Sequence, residues 1–179
     1  MKISFNSDLH VAFHEAGHIE ATYIWGGTVS KVWYQDCDVG KARSSVNHTD
    51  DLCTKKPVAC GGFAVEWLLF DSGRLIGECK NVLSEQKFQR KAMEWARIDK
   101  RGFYLTQPQD DQGFWPGSPF QPTEDWHWPR KSDGPFVNYA KEIVVPVLKQ
   151  RLEVIERLAN QFEKKRLLTQ TEIEKIRGC

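Results

Sequence analysis

The sequence has no C-x-x-C pair, and its five cysteines, Cys37, Cys53, Cys60, Cys79 and Cys179, are odd in number. That argues against a disulfide framework and for free thiols in a reducing compartment. No apolar run approaches the ~20 residues needed to cross a bilayer, and the N-terminus lacks a signal-peptide pattern. Neither sign of charge is in excess: 25 Lys and Arg against 24 Asp and Glu leave +1. Such a balance offers no global attraction to nucleic acid or to an acidic membrane. A Gly-rich phosphate-binding loop of the G-x-x-x-x-G-K-[ST] type is missing as well. What remains, 40% apolar and 27% charged over 179 residues, is the composition of one soluble globular domain, with the cytoplasm as its expected location.

Within that ordinary composition stands one unusual stretch, His14-Glu15-Ala16-Gly17-His18. It fits H-E-x-x-H, where the spacing has a mechanism behind it. Residues four apart share a helical face, so His14 and His18 can offer ring nitrogens to one metal ion. Glu15 lies beside them, where its carboxylate can take a proton from a nucleophilic water. Zinc suits imidazole and carboxylate ligands at a tetrahedron with one open position.

Asn6, Ser7 and Asp8 are N-cap candidates for the helix that carries this motif, and Gly26-Gly27 closes it near Trp25. His10, one turn before His14, reads as solvent-facing or capping rather than as a ligand. Val29, Val32, Trp33 and Tyr34, then Val39 and Val46, flank a polar turn at 35–40 and predict two short strands. Metallopeptidases often place such a strand edge beside the metal, where it can pair with an extended substrate. His48 falls in a polar loop and is expected to be exposed.

Pro57 is placed in the first turn of a second helix that runs to Phe70. This helix is nearly all apolar apart from Glu66, and Cys60, Gly61 and Gly62 allow another backbone to approach closely. A lone carboxylate there needs a partner, and a metal-bound histidine is a good one. A third helix is expected over 80–101, with Val82, Phe88, Ala92, Trp95, Ala96 and Ile98 as its apolar stripe. The connection at 106–135 is long and rich in Pro and Trp, which predicts packing or a functional loop, with His127 as a packed loop residue. A fourth helix over 136–168 carries Ile143, Val147, Leu148, Leu152, Ile155, Leu158 and Phe162, with Pro146 as a kink. Thr169 and Glu172 form a capping box for a short last helix.

With these residues in view, the chain resembles the peptidase domain of FtsH-type ATP-dependent zinc proteases. The stretch from Phe13 to His18 is similar to the family's "HEAGHA" helix, and Gly61 to Phe70 to its "GGRAAEELIFG" helix. Gly40 to Arg43 is similar to its "GxA" turn, and Tyr139 to Ile176 resembles its closing segment. The resemblance implies a mainly α fold, a helical zinc-metallopeptidase domain over 1–179 with a small β-hairpin or short sheet beside the H-E-x-x-H helix. It implies zinc as cofactor, Glu15 as general base, and peptide or unfolded protein as substrate. Glu66 is the expected group for orienting a ligand histidine.

The family's third metal ligand is an aspartate in "TGAxND"; Asn81 falls on that position here. An amide is a weaker zinc ligand than a carboxylate, and Glu85, Glu78 and Cys79 rank after Asn81 as substitutes. Asn81 also motivates an alternative: a catalytically weak or inactive member of the fold, kept as a binding or regulatory module. Without an ATPase domain, unfolding power would come from a separate ATPase, and the family's hexameric ring does not follow.

Overall fold

The computed structural model describes residues 1–34, 42–47, 51–77, 80–104 and 133–178. Its order is β1 (Ile3–Ser4), α1 (Asp8–Ile24), β2 (Thr28–Tyr34), β3 (Ala42–Asn47), α2 (Leu52–Asp71), β4 (Leu75–Ile76), α3 (Glu85–Trp95) and α4 (Arg97–Tyr104). There follow α5 (Asp133–Tyr139), a π-helical segment (Ala140–Val144), α6 (Val145–Lys149), α7 (Leu152–Lys165), β5 (Leu167–Thr169) and α8 (Gln170–Arg177). The fold is mainly helical with two small sheets. Among the described residues no helix is long and apolar enough to cross a membrane.

α1 is the central element, and its ends are set locally. The Ser7 hydroxyl caps it by accepting the His10 backbone N–H at 3.2 Å, and Asp8 places an acid in its first turn. Gly26, at φ 85°, turns the chain out of it, and the Gly27 N–H closes back on the Thr22 carbonyl. Between these ends almost every residue from His10 to Thr22 is buried. Such a helix must be enclosed on several sides, and α2, α7, β2 and β3 all pack on it.

Glycine decides how close α2 comes. A Cβ on Gly17 would lie 2.3 Å from the Gly61 carbonyl oxygen, and one on Gly61 would lie 2.6 Å from the Gly17 oxygen. Only glycine at both positions permits this backbone contact. Through it, the Val58 and Glu66 turns of α2 come against the histidine face of α1.

β2 is the middle strand of an antiparallel sheet ordered β3-β2-β5, with Val32 opposite Ser44 on one side and Leu168 on the other. The hairpin expected from the sequence is present, with β5 as its third strand. β5 and the parallel pair of β1 with β4 carry no sequence pattern long enough to read.

Three helix boundaries differ from expectation. α2 begins at Leu52, capped by the Asp51 side chain, so Pro57 lies inside the helix rather than in its first turn. The helix expected over 80–101 starts only at Glu85, which leaves Val82 92% exposed, and it is two helices that break at Ala96, with Trp95 and Ile98 43% and 56% exposed. Phe88, Ala92 and Ala96 do enter the core.

The helix expected over 136–168 is likewise divided. A proline has no N–H to give to the preceding turn, and the chain widens into the π-segment immediately before Pro146. That rotation leaves Ile143 exposed, while Leu148, Ile155, Leu158 and Phe162 reach the core. The capping box of α8 forms as read: the Glu172 carboxylate accepts the Thr169 N–H at 2.9 Å.

The turn at 35–40, His48, Glu78, Cys79, His127 and the stretch 105–132 lie outside the described residues.

Candidate metal centre

The helical spacing of α1 brings the two histidines together, with His14 Nε2 and His18 Nε2 3.0 Å apart. Their other nitrogens are each held by α2. His14 Nδ1 is 2.9 Å from Glu66 Oε1, and His18 Nδ1 is 2.8 Å from the Val58 carbonyl oxygen. Both partners can only accept, so each Nδ1 carries a proton and donates it. In the neutral rings each Nε2 is then left with its lone pair, and the two face the same point. Glu66 is 2% exposed, and orientation of a histidine is what its position in an apolar helix suggests.

The third member of the group is Asp99 on α4. Its Oδ1 lies 3.3 Å from His18 Nε2 and its Oδ2 3.3 Å from His14 Nε2. Asn81 and Glu85, ranked first and second for this place on sequence grounds, are both exposed, and Glu85 is not in the histidine–aspartate group. Glu85 instead accepts from the Gln89 amide and stands 3.6 Å from Lys141. The correction has a physical basis in the break at Ala96. It restarts the chain as α4, which is tied down by Lys100 Nζ bonding Asp133 Oδ1 at 2.7 Å and by Phe103 packing on Phe136 and Tyr139. Gly102 passes close to Ala59, so α4 lies along α2 with Asp99 turned toward α1.

The donor set fits a zinc ion. Ligand atoms about 2.0–2.1 Å from zinc at tetrahedral angles stand about 3.3 Å from one another. The two Nε2 atoms, 3.0 Å apart, stand close to that spacing, each is 3.3 Å from one of the two Asp99 oxygens, and one ligand atom from each residue lies within 4.8 Å of the others. Asp99 Oδ2 is also buried without a well-aligned hydrogen bond, the condition of an oxygen whose partner is a cation.

Charge in the metal-free site is arranged accordingly. Burial lowers the pKa of His14, but the carboxylates of Glu66 and Asp99 outweigh it and raise the value well above that of an ordinary imidazole. His18 is raised by Asp99 against the same burial. Asp99 is pushed up by burial and pulled further down by the two histidines, well below the usual carboxylate range.

Glu15, 8% exposed, stands beside the ligand group without joining it: its Oε2 accepts the hydroxyl of Ser44 on β3. This ties the strand to the helix beside the histidine pair. His10, expected at the surface or as a cap, is 2% exposed and belongs to the interior of α1. Cys60 is buried in α2, where burial pushes its thiol pKa up and leaves it inert as a nucleophile.

Gly62 has a separate task from Gly61. A Cβ there would lie 2.4–2.6 Å from three atoms of the His14 ring, and that ring is held by Glu66 on one edge and faces Asp99 on the other. Gly62→Ala is therefore expected to displace the ring, with an overpacking cost of about 1–3 kcal/mol. Zinc affinity, measured by chelator competition, should fall by roughly 10-fold or more, since 1.4 kcal/mol corresponds to a factor of 10. Unchanged affinity would show that His14 has room to move.

No protein-family model matches the chain, and no curated protein shows significant similarity to it.

Proposed function

We propose that the chain is a zinc-dependent metallopeptidase related to the FtsH-type peptidase domains, with His14, His18 and Asp99 as zinc ligands and Glu15 as general base. The observation that carries this reading is the convergence of two imidazole Nε2 atoms and one carboxylate on a helix that also presents Glu15. When bound, zinc supplies a Lewis acid for the scissile carbonyl and makes water a usable nucleophile near neutral pH.

The chain's own residues do the rest. Glu66 and the Val58 carbonyl hold the two rings in the tautomer that leaves both Nε2 atoms free. Ser44 fixes one oxygen of Glu15, and Oε1 is left to take the proton of the attacking water and pass it to the leaving amine. The substrate is a peptide or a flexible protein segment.

The alternative, an inactive binding module, was motivated by an amide at Asn81. Asp99 offers the carboxylate that Asn81 lacks, which favours an active site.

The test is zinc content by inductively coupled plasma mass spectrometry, for the purified protein and for His14→Ala, together with cleavage of an unfolded protein. Near-stoichiometric zinc and cleavage, both lost in His14→Ala, are expected. A chain that takes up no zinc on incubation would overturn the proposal.

A further inference from the structure

We infer that His10 is a positioning residue of this centre, acting through Glu66 on His14; the inference rests on the zinc-site reading above. His10 lies one helical turn before His14 and shares its face. Its Nδ1 accepts the backbone N–H of Asn6 at 3.3 Å, and Asn6 sits at φ 65°, a left-handed conformation uncommon outside glycine. A ring nitrogen that accepts a hydrogen bond carries no proton, so the ring proton of His10 stands on Nε2.

That nitrogen lies 3.4 Å from Glu66 Oε1, without hydrogen-bond alignment, and the same oxygen lies 2.9 Å from His14 Nδ1. The contact is longer than a well-formed hydrogen bond, so its effect is chiefly electrostatic. The Phe5 ring, with its centroid 4.5 Å from that of His10, packs against the imidazole.

One carboxylate oxygen is thus shared by two imidazoles. Glu66 has a side chain only 3% exposed, and a buried carboxylate is costly without compensating dipoles or charges. His14 supplies a hydrogen bond and His10 the positive end of a second N–H dipole nearby. With both present, Oε1 is held where it accepts from His14 Nδ1, which leaves His14 Nε2 for the metal. With His10 removed, Glu66 keeps the His14 hydrogen bond among the described residues and loses the dipole that holds its oxygen electrostatically from the far side. The orientation of His14 would then loosen although no zinc ligand had changed.

The test is zinc affinity by chelator competition for wild type, His10→Phe, His10→Gln, Glu66→Gln and the His10→Phe/Glu66→Gln double variant, with thermal melts of the metal-free proteins to establish folding. Loss of a group that orients a ligand histidine typically weakens metal binding about 10–100-fold, and His10→Phe is expected at the lower end of that range. His10→Gln, whose amide can donate to Glu66, should stay close to wild type. In the Glu66→Gln background, His10→Phe should cost nothing further, because its path to the metal has been cut.

Wild-type affinity in His10→Phe, an equal loss in His10→Gln, or an undiminished loss in the Glu66→Gln background would each overturn the inference. If His10→Phe does not fold, His10→Leu is read in its place by the same criteria. Absence of zinc from the wild type would instead remove the site itself, and the inference with it.

Discussion

Asp99→Asn is expected to strip the protein of zinc under conditions where the wild type holds it. The substitution keeps the shape of the side chain but replaces a carboxylate with a neutral amide, a weaker ligand for zinc. Loss of groups that merely orient a ligand costs about 10–100-fold in metal affinity. Removal of the carboxylate that, among the described residues, is grouped with the Nε2 atoms of both histidines should therefore exceed about 100-fold.

Asn81→Ala is the matched control and should bind zinc as the wild type does, because Asn81 is exposed whereas Asp99 faces both histidines. Chelator competition and mass-spectrometric zinc content on both variants decide the matter. Metal retained in Asp99→Asn and lost in Asn81→Ala would return the third ligand to the position suggested by family resemblance.

The same pair of variants has a pH signature. In the metal-free protein the histidines are raised above the ordinary imidazole value and Asp99 is depressed. Near neutral pH, zinc therefore competes with protons on the imidazoles and not on the carboxylate. Affinity should fall as the pH falls through the raised histidine values. Asp99→Asn removes one cause of that elevation, so the decline should move to lower pH even as the affinity itself drops.

Glu15→Gln should separate binding from chemistry. General acid–base catalysis by a positioned side chain contributes about 10²–10⁴-fold, so cleavage of an unfolded substrate is expected to fall by that order. Zinc content should not change, because the Glu15 carboxylate is bonded to Ser44 and contributes no atom to the histidine–aspartate group. Undiminished cleavage in Glu15→Gln would remove Glu15 from the mechanism. Loss of zinc would show that Glu15 supports the site structurally.

Much of this centre was legible because it is local. H-E-x-x-H is a helical spacing, and a helix is a short-range object: Ser7 caps it, Gly26 ends it, and four residues of rise bring His14 and His18 together. Glu66 could be singled out because a lone carboxylate in an apolar helix demands compensation. Two adjacent glycines signalled close approach, though not that Gly61 would face Gly17 while Gly62 faces the His14 ring. The hairpin and the capping box of α8 are similarly short-range, and both appear where turn and cap residues place them.

His10 shows where such reading stops. A histidine near a helix start is usually solvated, and only the packing of Phe5 and Glu66 around it makes it interior. Asp99 is a stronger case. It lies between Ile98 and Lys100 in a stretch whose spacing continues the stripe of the preceding helix, and no local pattern distinguishes it from an exposed acid. Its place depends on a break at Ala96, on Lys100 reaching Asp133 and on Phe103 packing against Phe136.

By itself, then, the sequence determined the helix and the placement of His14, Glu15 and His18 along it, since those depend on spacing within a few turns. Which residue stands as third donor, and which groups hold the two rings, was decided only by tertiary structure. The contacts responsible join α1 to α2 and α4 across tens of residues, and burial in that packing gives Asp99, Glu66 and His10 partners that no local pattern specifies.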